Sequence, residues 1–291
     1  MARKLFETGL ATGPARQGYS KMFVALGTVL ASVTAQAAVI YDNIPATLPG
    51  NLFSLGYEAT QTTQWGDYVQ FAPGGRELTR VTVTLSNWAT QAKYPSLGTT
   101  AGFNVPLTLN LYNYVASSPT PGSLIISNTL TTLVPWRPVA DASCPESPGN
   151  GRGWKDGAGN CWNGQAVNVT FDLSSFNITL PNEVVFGLAF DTQTNGATSG
   201  PLSPTNSLNY AGVEVGASVG TNLNINENFW STRSPRSSGA TAGVFSRAAD
   251  DEFAPTARFE VRDAAVPLPG TLALLLLSFV GMFSTRKRNV A

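Results

Sequence analysis

The chain of 291 residues contains no histidine. That absence removes Ser-His-Asp and Cys-His catalysis, imidazole general bases and histidine-ligated metals in one step. Lysine is nearly as scarce in the body of the chain. Only Lys93 and Lys155 lie between residues 38 and 264, and neither sits in a Ser-x-x-Lys pattern. Charged residues make up 12% of the sequence, while Gly, Ser, Thr and Asn abound. This composition suits an extracellular β-domain and is unlike that of a highly charged disordered chain. Two cysteines are present, too few without histidine for a structural zinc site. A free thiol would also lack the imidazole that usually activates it. No amphipathic helical pattern of about 12 residues runs through the body. Blade-length repeats are absent, which argues against a β-propeller, and no regular short coils suggest a parallel β-helix.

The charge that is present is unevenly placed. The whole chain balances 18 basic against 18 acidic residues. Between residues 38 and 264 there are 17 acids (all but Glu7) and 11 bases (Arg76 to Arg262), a net of −6. The remaining bases cluster at the two ends. A mildly acidic body argues against a nucleic-acid partner, which calls for a basic face.

Period-2 alternation of apolar and polar residues recurs along the body. Val81, Val83 and Leu85 alternate with Thr82, Thr84 and Ser86; Leu107, Leu109 and Leu111 with Thr108, Asn110 and Tyr112; Val167, Val169, Phe171 and Leu173 with Asn168, Thr170 and Asp172. In Val184–Phe190 the opposite face, Val185, Gly187 and Ala189, is also apolar, which predicts a central strand. Phe259 and Val261 alternate with Arg258, Glu260 and Arg262. Weaker strands are expected at 39–42, 68–71, 124–127, 207–211, 213–215 and 229–231. Gly, Pro and Asn clusters separate them. Around ten short strands in a body of about 225 residues predict an all-β fold, an antiparallel two-sheet β-sandwich, jelly-roll-like. One domain of that length suffices to bury a core.

Both ends read as targeting segments. Met22–Thr34 is apolar and small, and Ala35-Gln36-Ala37 fits the small-x-small rule, so cleavage is expected between Ala37 and Ala38. The region before it is long, either an extended leader or a start at Met22. The expected organisation is a signal peptide over 1–37, one β-sandwich over 38–264, and a C-terminal cassette over 265–291. That cassette reads Val266-Pro267-Leu268-Pro269-Gly270, then an apolar run to Ser284, then Arg286-Lys287-Arg288. The uninterrupted run is about 15 residues and reaches about 20 when counted from Val266, the length of a transmembrane helix. The prolines are tolerable only in its first turn. The three cations stop translocation and stay on the cytoplasmic side.

This cassette resembles the PEP-CTERM sorting signal of Gram-negative bacteria, through Val266, Pro267, Pro269, the leucine-rich run and the Arg286-Lys287-Arg288 tail. Leu268 stands where the name-giving motif has glutamate, and Val-Pro-Leu-Pro looks like a variant of it. The resemblance covers about 25 residues. It implies a membrane-embedded exosortase as processing partner, an inner-membrane intermediate, a final place at the cell surface or outside the cell, and an association with exopolysaccharide and biofilm.

The segment Pro135–Gly164 interrupts the strand rhythm. It holds Cys144 and Cys161 among Trp136, Trp154, Trp162 and many glycines. Two cysteines in an exported chain predict one disulfide. It would close a loop of about 18 residues, contributing on the order of 3 kcal/mol. Tryptophans on such a loop stack on sugar rings, which makes this insertion a candidate exopolysaccharide contact; the plainer reading has them capping the sandwich. Catalytic residues are not expected. A carboxylate pair for glycan cleavage would have to come from Asp67, Asp172, Glu183, Asp191 and Glu214. The expected cofactor is none, with structural calcium on Asp42, Asn43 or Asp191 the one metal worth testing. The expectation is therefore an exported, non-enzymatic surface or matrix protein. Its alternatives are a carbohydrate-binding module and a glycan-cleaving enzyme.

Overall fold

A computed structural model of the chain describes residues 37–147, 151–192, 203–233, 241–249 and 253–262. Its main strands are β1 (Ala37–Asp42), β2 (Phe53–Gly56), β3 (Thr62–Gln70), β4 (Glu77–Asn87), β5 (Gly102–Asn113), β6 (Leu124–Pro135), β7 (Gln165–Asp172), β8 (Glu183–Ala189), β9 (Leu208–Val213), β10 (Glu227–Thr232), β11 (Ser246–Ala249) and β12 (Arg258–Arg262). They form two eight-stranded sheets once short bridging strands are included. The first sheet runs β1-β12-β4-β9, with β7 along the other side of β4 and β2 on β9. The second runs β10-β3-β8-β5-β6, with β11 on β10. Pairing is antiparallel throughout, apart from a short parallel contact of Ser231 and Thr232 with Thr241 and Ala242.

The alternation in the sequence becomes the core. Val81, Val83 and Leu85 of β4 and Phe171 of β7 are buried in one cluster with Leu107, Leu109 and Leu111 of β5 and Val184, Phe186 and Leu188 of β8. Each such side chain contributes about 1.5–3 kcal/mol of transfer free energy. β8 lies between β3 and β5, so it is central as its doubly apolar pattern predicts. Its outer side is covered as well: Val185 packs with Tyr68 and Phe229 in a second cluster. The Arg247 guanidinium lies 4.7 Å from the Tyr68 ring centre and 5.6 Å from that of Tyr114, an arrangement favourable through cation–π attraction.

Several elements differ from the sequence reading. β2 and the first half of β3 carry no clear alternation yet are strands. Val213 ends β9 instead of opening a strand of its own, and Val215 is exposed in the bend that follows. Among the described residues the helical content is a single α-turn at Tyr57–Thr60 and two 3-10 turns. Among the described residues no helix is long and apolar enough to cross a membrane. The expected C-terminal helix, the 266–288 sorting motif and the signal peptide up to residue 36 lie outside the described residues. The expected cleavage junction Ala37–Ala38 lies at the start of β1, where Ala37 pairs with Arg262 and Ala38 with Val261.

Asp67 is fully buried on the core-facing side of β3 that it shares with Trp65 and Val69. It accepts hydrogen bonds from the Tyr68 amide at 2.7 Å and Asn222 Nδ2 at 2.6 Å. Burial raises the pKa of Tyr57 and Tyr210 far above the ordinary tyrosine value. Tyr41 is raised by burial and then by Asp67 and Asp42, and Tyr68 is pushed up to about 12 by burial and Glu227. An unfolded tyrosine ionises near pH ~10. The folded state therefore holds these protons longer, and stability falls as pH rises past that value. At about pH 11, phenolate absorbance should account for only part of the eight tyrosines, the remainder appearing together with loss of near-ultraviolet dichroism. Ionisation of all eight with unchanged dichroism would refute this core.

Gly66 faces Gly187 across β3 and β8, and a Cβ there would overlap the Phe186 carbonyl oxygen. Gly66→Ala is expected to cost about 1–3 kcal/mol or more, read as a lower urea midpoint at unchanged slope.

Candidate functional site

β4 fixes where the site lies. Its first residue, Glu77, pairs with Arg262, and its last, Asn87, pairs with Gln165 and Leu208. Eleven residues of strand separate these ends by roughly 33 Å. The two ends of the described body, Ala37 and Arg262, meet at the Glu77 pole. At the Asn87 pole, an open cleft of about 1130 Å³ is lined by the Tyr57 turn, the segment after β4, the segment after β6, the segment before β9 and the cysteine arm.

Side-chain hydrogen bonds join these segments. Asn87 is buried. Its Oδ1 accepts the Ala89 amide at 2.9 Å and its Nδ2 donates to the Pro135 carbonyl at 2.6 Å, which ties the exit of β4 to the exit of β6. Trp88 leaves the strand half-buried, with its indole N–H on Ser86 Oγ at 2.9 Å and its amide on the Ser207 carbonyl. Trp136 packs at 5.0 Å from Phe103 and donates its indole N–H to the Thr99 carbonyl. Buried beneath the cleft residues Gly56, Glu58 and Ala59, Tyr57 stacks on Phe190 at 4.0 Å and donates to the Leu188 carbonyl. The neighbouring Glu58 lines the cleft, and its Oε2 has no hydrogen-bond partner. Two tryptophans, backbone polar groups and a few charged side chains give the apolar-with-polar-anchors chemistry of a small-ligand cleft.

The cysteine arm forms one side. Cys144 and Cys161 are joined in a disulfide with Cα atoms 5.6 Å apart, the pairing expected from the sequence. Two short hairpins occupy the arm, Glu146–Ser147 on Gly151–Arg152 and Trp154–Lys155 on Cys161–Trp162. Arg152 donates to the carbonyls of Ala142 and Cys144, and Lys155 to Ser143 Oγ. Asp156 binds the Trp162 indole, the Asn160 amide and side chain, and the Ala158 amide, which together hold its carboxyl below the usual carboxylate range.

Of the three tryptophans singled out from the sequence, only Trp136 lines the cleft. Trp154 and Trp162 are half-buried within the arm, donating to the Gly164 carbonyl and to Asp156. Trp88, which the sequence does not single out, joins Trp136 instead. The signal for it was a tryptophan placed immediately after a strongly alternating strand, in a Thr-Gln-Ala-Lys segment. None of the five candidate acids is among the described residues that line the cleft, whose one carboxylate is Glu58. Asp67 lies in the core, Asp172 caps Ser174, Glu183 meets Gln70, Asp191 pairs with Arg233 and Glu214 is exposed. Asp42 binds Arg258 and the Ile44 amide, while Asn43 bridges Pro255 and Ala257, so these oxygens hold the end of β1 in place. Among the described residues no group of three or more acidic, histidine or cysteine side chains converges on a metal position.

No protein-family model, curated protein or solved structure matches the chain.

Because the disulfide closes an arm outside the two sheets, its contribution of about 3 kcal/mol falls on local opening. Reduction is expected to lower amide protection of residues 151–162 by about a hundredfold while leaving β4 amides unchanged. Equal loss in β4 would contradict this partition.

Proposed function

We propose that the chain is an exported, non-enzymatic cell-surface or extracellular-matrix protein, processed by an exosortase-type system and carrying a carbohydrate-binding cleft. The sorting part of this reading rests on the terminal segments of the sequence. The observation that supports the whole is geometric: both ends of the body converge at one pole, and the tryptophan cleft opens at the other. A domain attached to a membrane intermediate through Arg262 thus offers its cleft roughly 33 Å away, toward the medium. The two-sheet arrangement is consistent with the jelly-roll-like topology expected of such modules.

The non-enzymatic part draws on the chemistry of the cleft. Glycoside hydrolysis needs two carboxyl groups about 5–10 Å apart, and the lining supplies Glu58 alone. Trp88 and Trp136 supply apolar faces, and the segment before β9 lines the cleft beside Trp88. This arrangement holds a sugar without a group to cleave it, and an exopolysaccharide of the producing cell is the ligand proposed.

Intact-mass measurement of protein recovered from membrane, surface and medium fractions tests the sorting. A mass that begins at Ala38, ends near Val266–Pro269 and rises by about 2 Da on reduction is expected. A membrane-bound mass that retains Ala291 would remove the exosortase from the proposal and leave a plain anchor.

A further inference from the structure

Arg137 is the most unusual charge in the molecule. It is 7% exposed and follows the exit of β6. Its Nη1 donates to the Asn163 carbonyl and its Nη2 to the Arg152 carbonyl at 3.0 Å, while Nε has no acceptor. Every ion pair among the described residues involves another cation, so no carboxylate neutralises this one. Backbone carbonyls satisfy only two of its donors and leave the net charge in place. A buried charge without a counter-ion is costly, and its field reaches farther than that of an exposed charge because little water screens it. Burial alone lowers its pKa, and a guanidinium so lowered remains cationic at neutral pH.

The surroundings add to that charge. Arg137 lines the cleft together with Lys93 and Arg152, against the single carboxylate Glu58. Lys93 is exposed at the rim, its Nζ 5.5 Å from the Tyr94 ring centre. Arg152 meets Glu146 at 3.5 Å, a solvent-exposed pair that binds weakly. A body with 17 acids and 11 bases thus gathers three cations at one cleft. A neutral sugar would leave Arg137 as uncompensated as it is in the empty cleft.

We propose that the cleft selects an acidic polysaccharide, one whose sugar units carry carboxylates. The inference rests on the carbohydrate-binding reading and deepens it. The carboxylate of the bound sugar approaches Lys93 and Arg152 directly and supplies the counter-charge that Arg137 lacks beneath the wall. The sugar ring lies against Trp88 or Trp136. An acidic peptide would satisfy the cations but would leave Trp88 and Trp136 without a matching ring face.

The test uses the purified full chain in detergent with its disulfide intact. Oligogalacturonate and oligomannuronate are titrated against it, each beside its own methyl ester, which keeps the sugar and removes the charge. Polyglutamate serves as the non-sugar polyanion. The uronates are expected to bind at least about tenfold more tightly than their esters, as charge-assisted hydrogen bonds imply, with affinity falling as salt rises. Lys93→Glu, an exposed change expected to leave the melting temperature unaltered, should weaken uronate binding by about tenfold and ester binding hardly at all. Arg137→Gln should remove most of the preference where it folds, and Lys93→Glu decides the matter where it does not. Equal binding of uronates and esters would overturn the acidic selectivity and keep the carbohydrate reading. Polyglutamate binding as tightly as the uronates would overturn the sugar component. Binding of none of the glycans would overturn both.

Discussion

The pairing of the first strand with the last is the constraint on which the fold depends. β12 lies between β1 and β4, and the pair Ala38 and Val261 that it brings together is 223 positions apart. Closing a loop of that length costs about 5 kcal/mol of chain entropy on the logarithmic scale. Without β12, the first half of β4 loses its neighbour on that side, and Phe259, which packs on Tyr41, Phe71 and Phe186, leaves the core. The sandwich is thus completed only by its C-terminal residues. Contacts of such long range make for slow folding, a reasonable companion to a chain expected to fold after export.

That same closure organises the poles. One end of β4 is committed to joining the chain ends and the other is free for loops, so five segments distant in sequence meet around Asn87. The buried amide of Asn87 holds two of them together, and the hydrogen bonds of Trp88 and Trp136 orient the two indoles. The cysteine arm adds cations to a pole that the rest of this acidic body would leave neutral or negative. The cleft is therefore built from loops on a rigid frame, where binding sites on β-scaffolds usually lie.

Much of the frame was legible in the sequence because one face of each major strand is buried and the other is not. The alternation of β4, β5, β7 and β8 named core residues correctly, and the doubly apolar β8 announced its central place. The cysteines announced their bond. Where burial and composition part company, the reading failed. The first half of β3 looks polar because Gly66 is required by the close approach of β8 and because Asp67 is buried with its hydrogen bonds met. β2 is four residues ending in glycine, too short for a period to register. The cleft was half visible: Trp136 stood out beside the cysteines, but Trp88 and Glu58 reach it from segments some 50 to 80 residues away, and nothing local marks that meeting. Arg137 carries no sequence signal at all, since only the fold reveals that it is buried without a counter-charge.

The shared pole also has a mechanical consequence. A ligand held in the cleft and an anchor beyond Arg262 would apply force along the length of β4, with β12 as the loaded strand. β12 is flanked by β1 and β4 in antiparallel register, five paired positions on each side. Hydrogen bonds in such ladders run across the strands, so a pull along the strand axis loads them together, in shear, instead of opening them one after another like a zip. Flow or traction on the captured polymer would then meet the direction in which this sandwich resists tearing best.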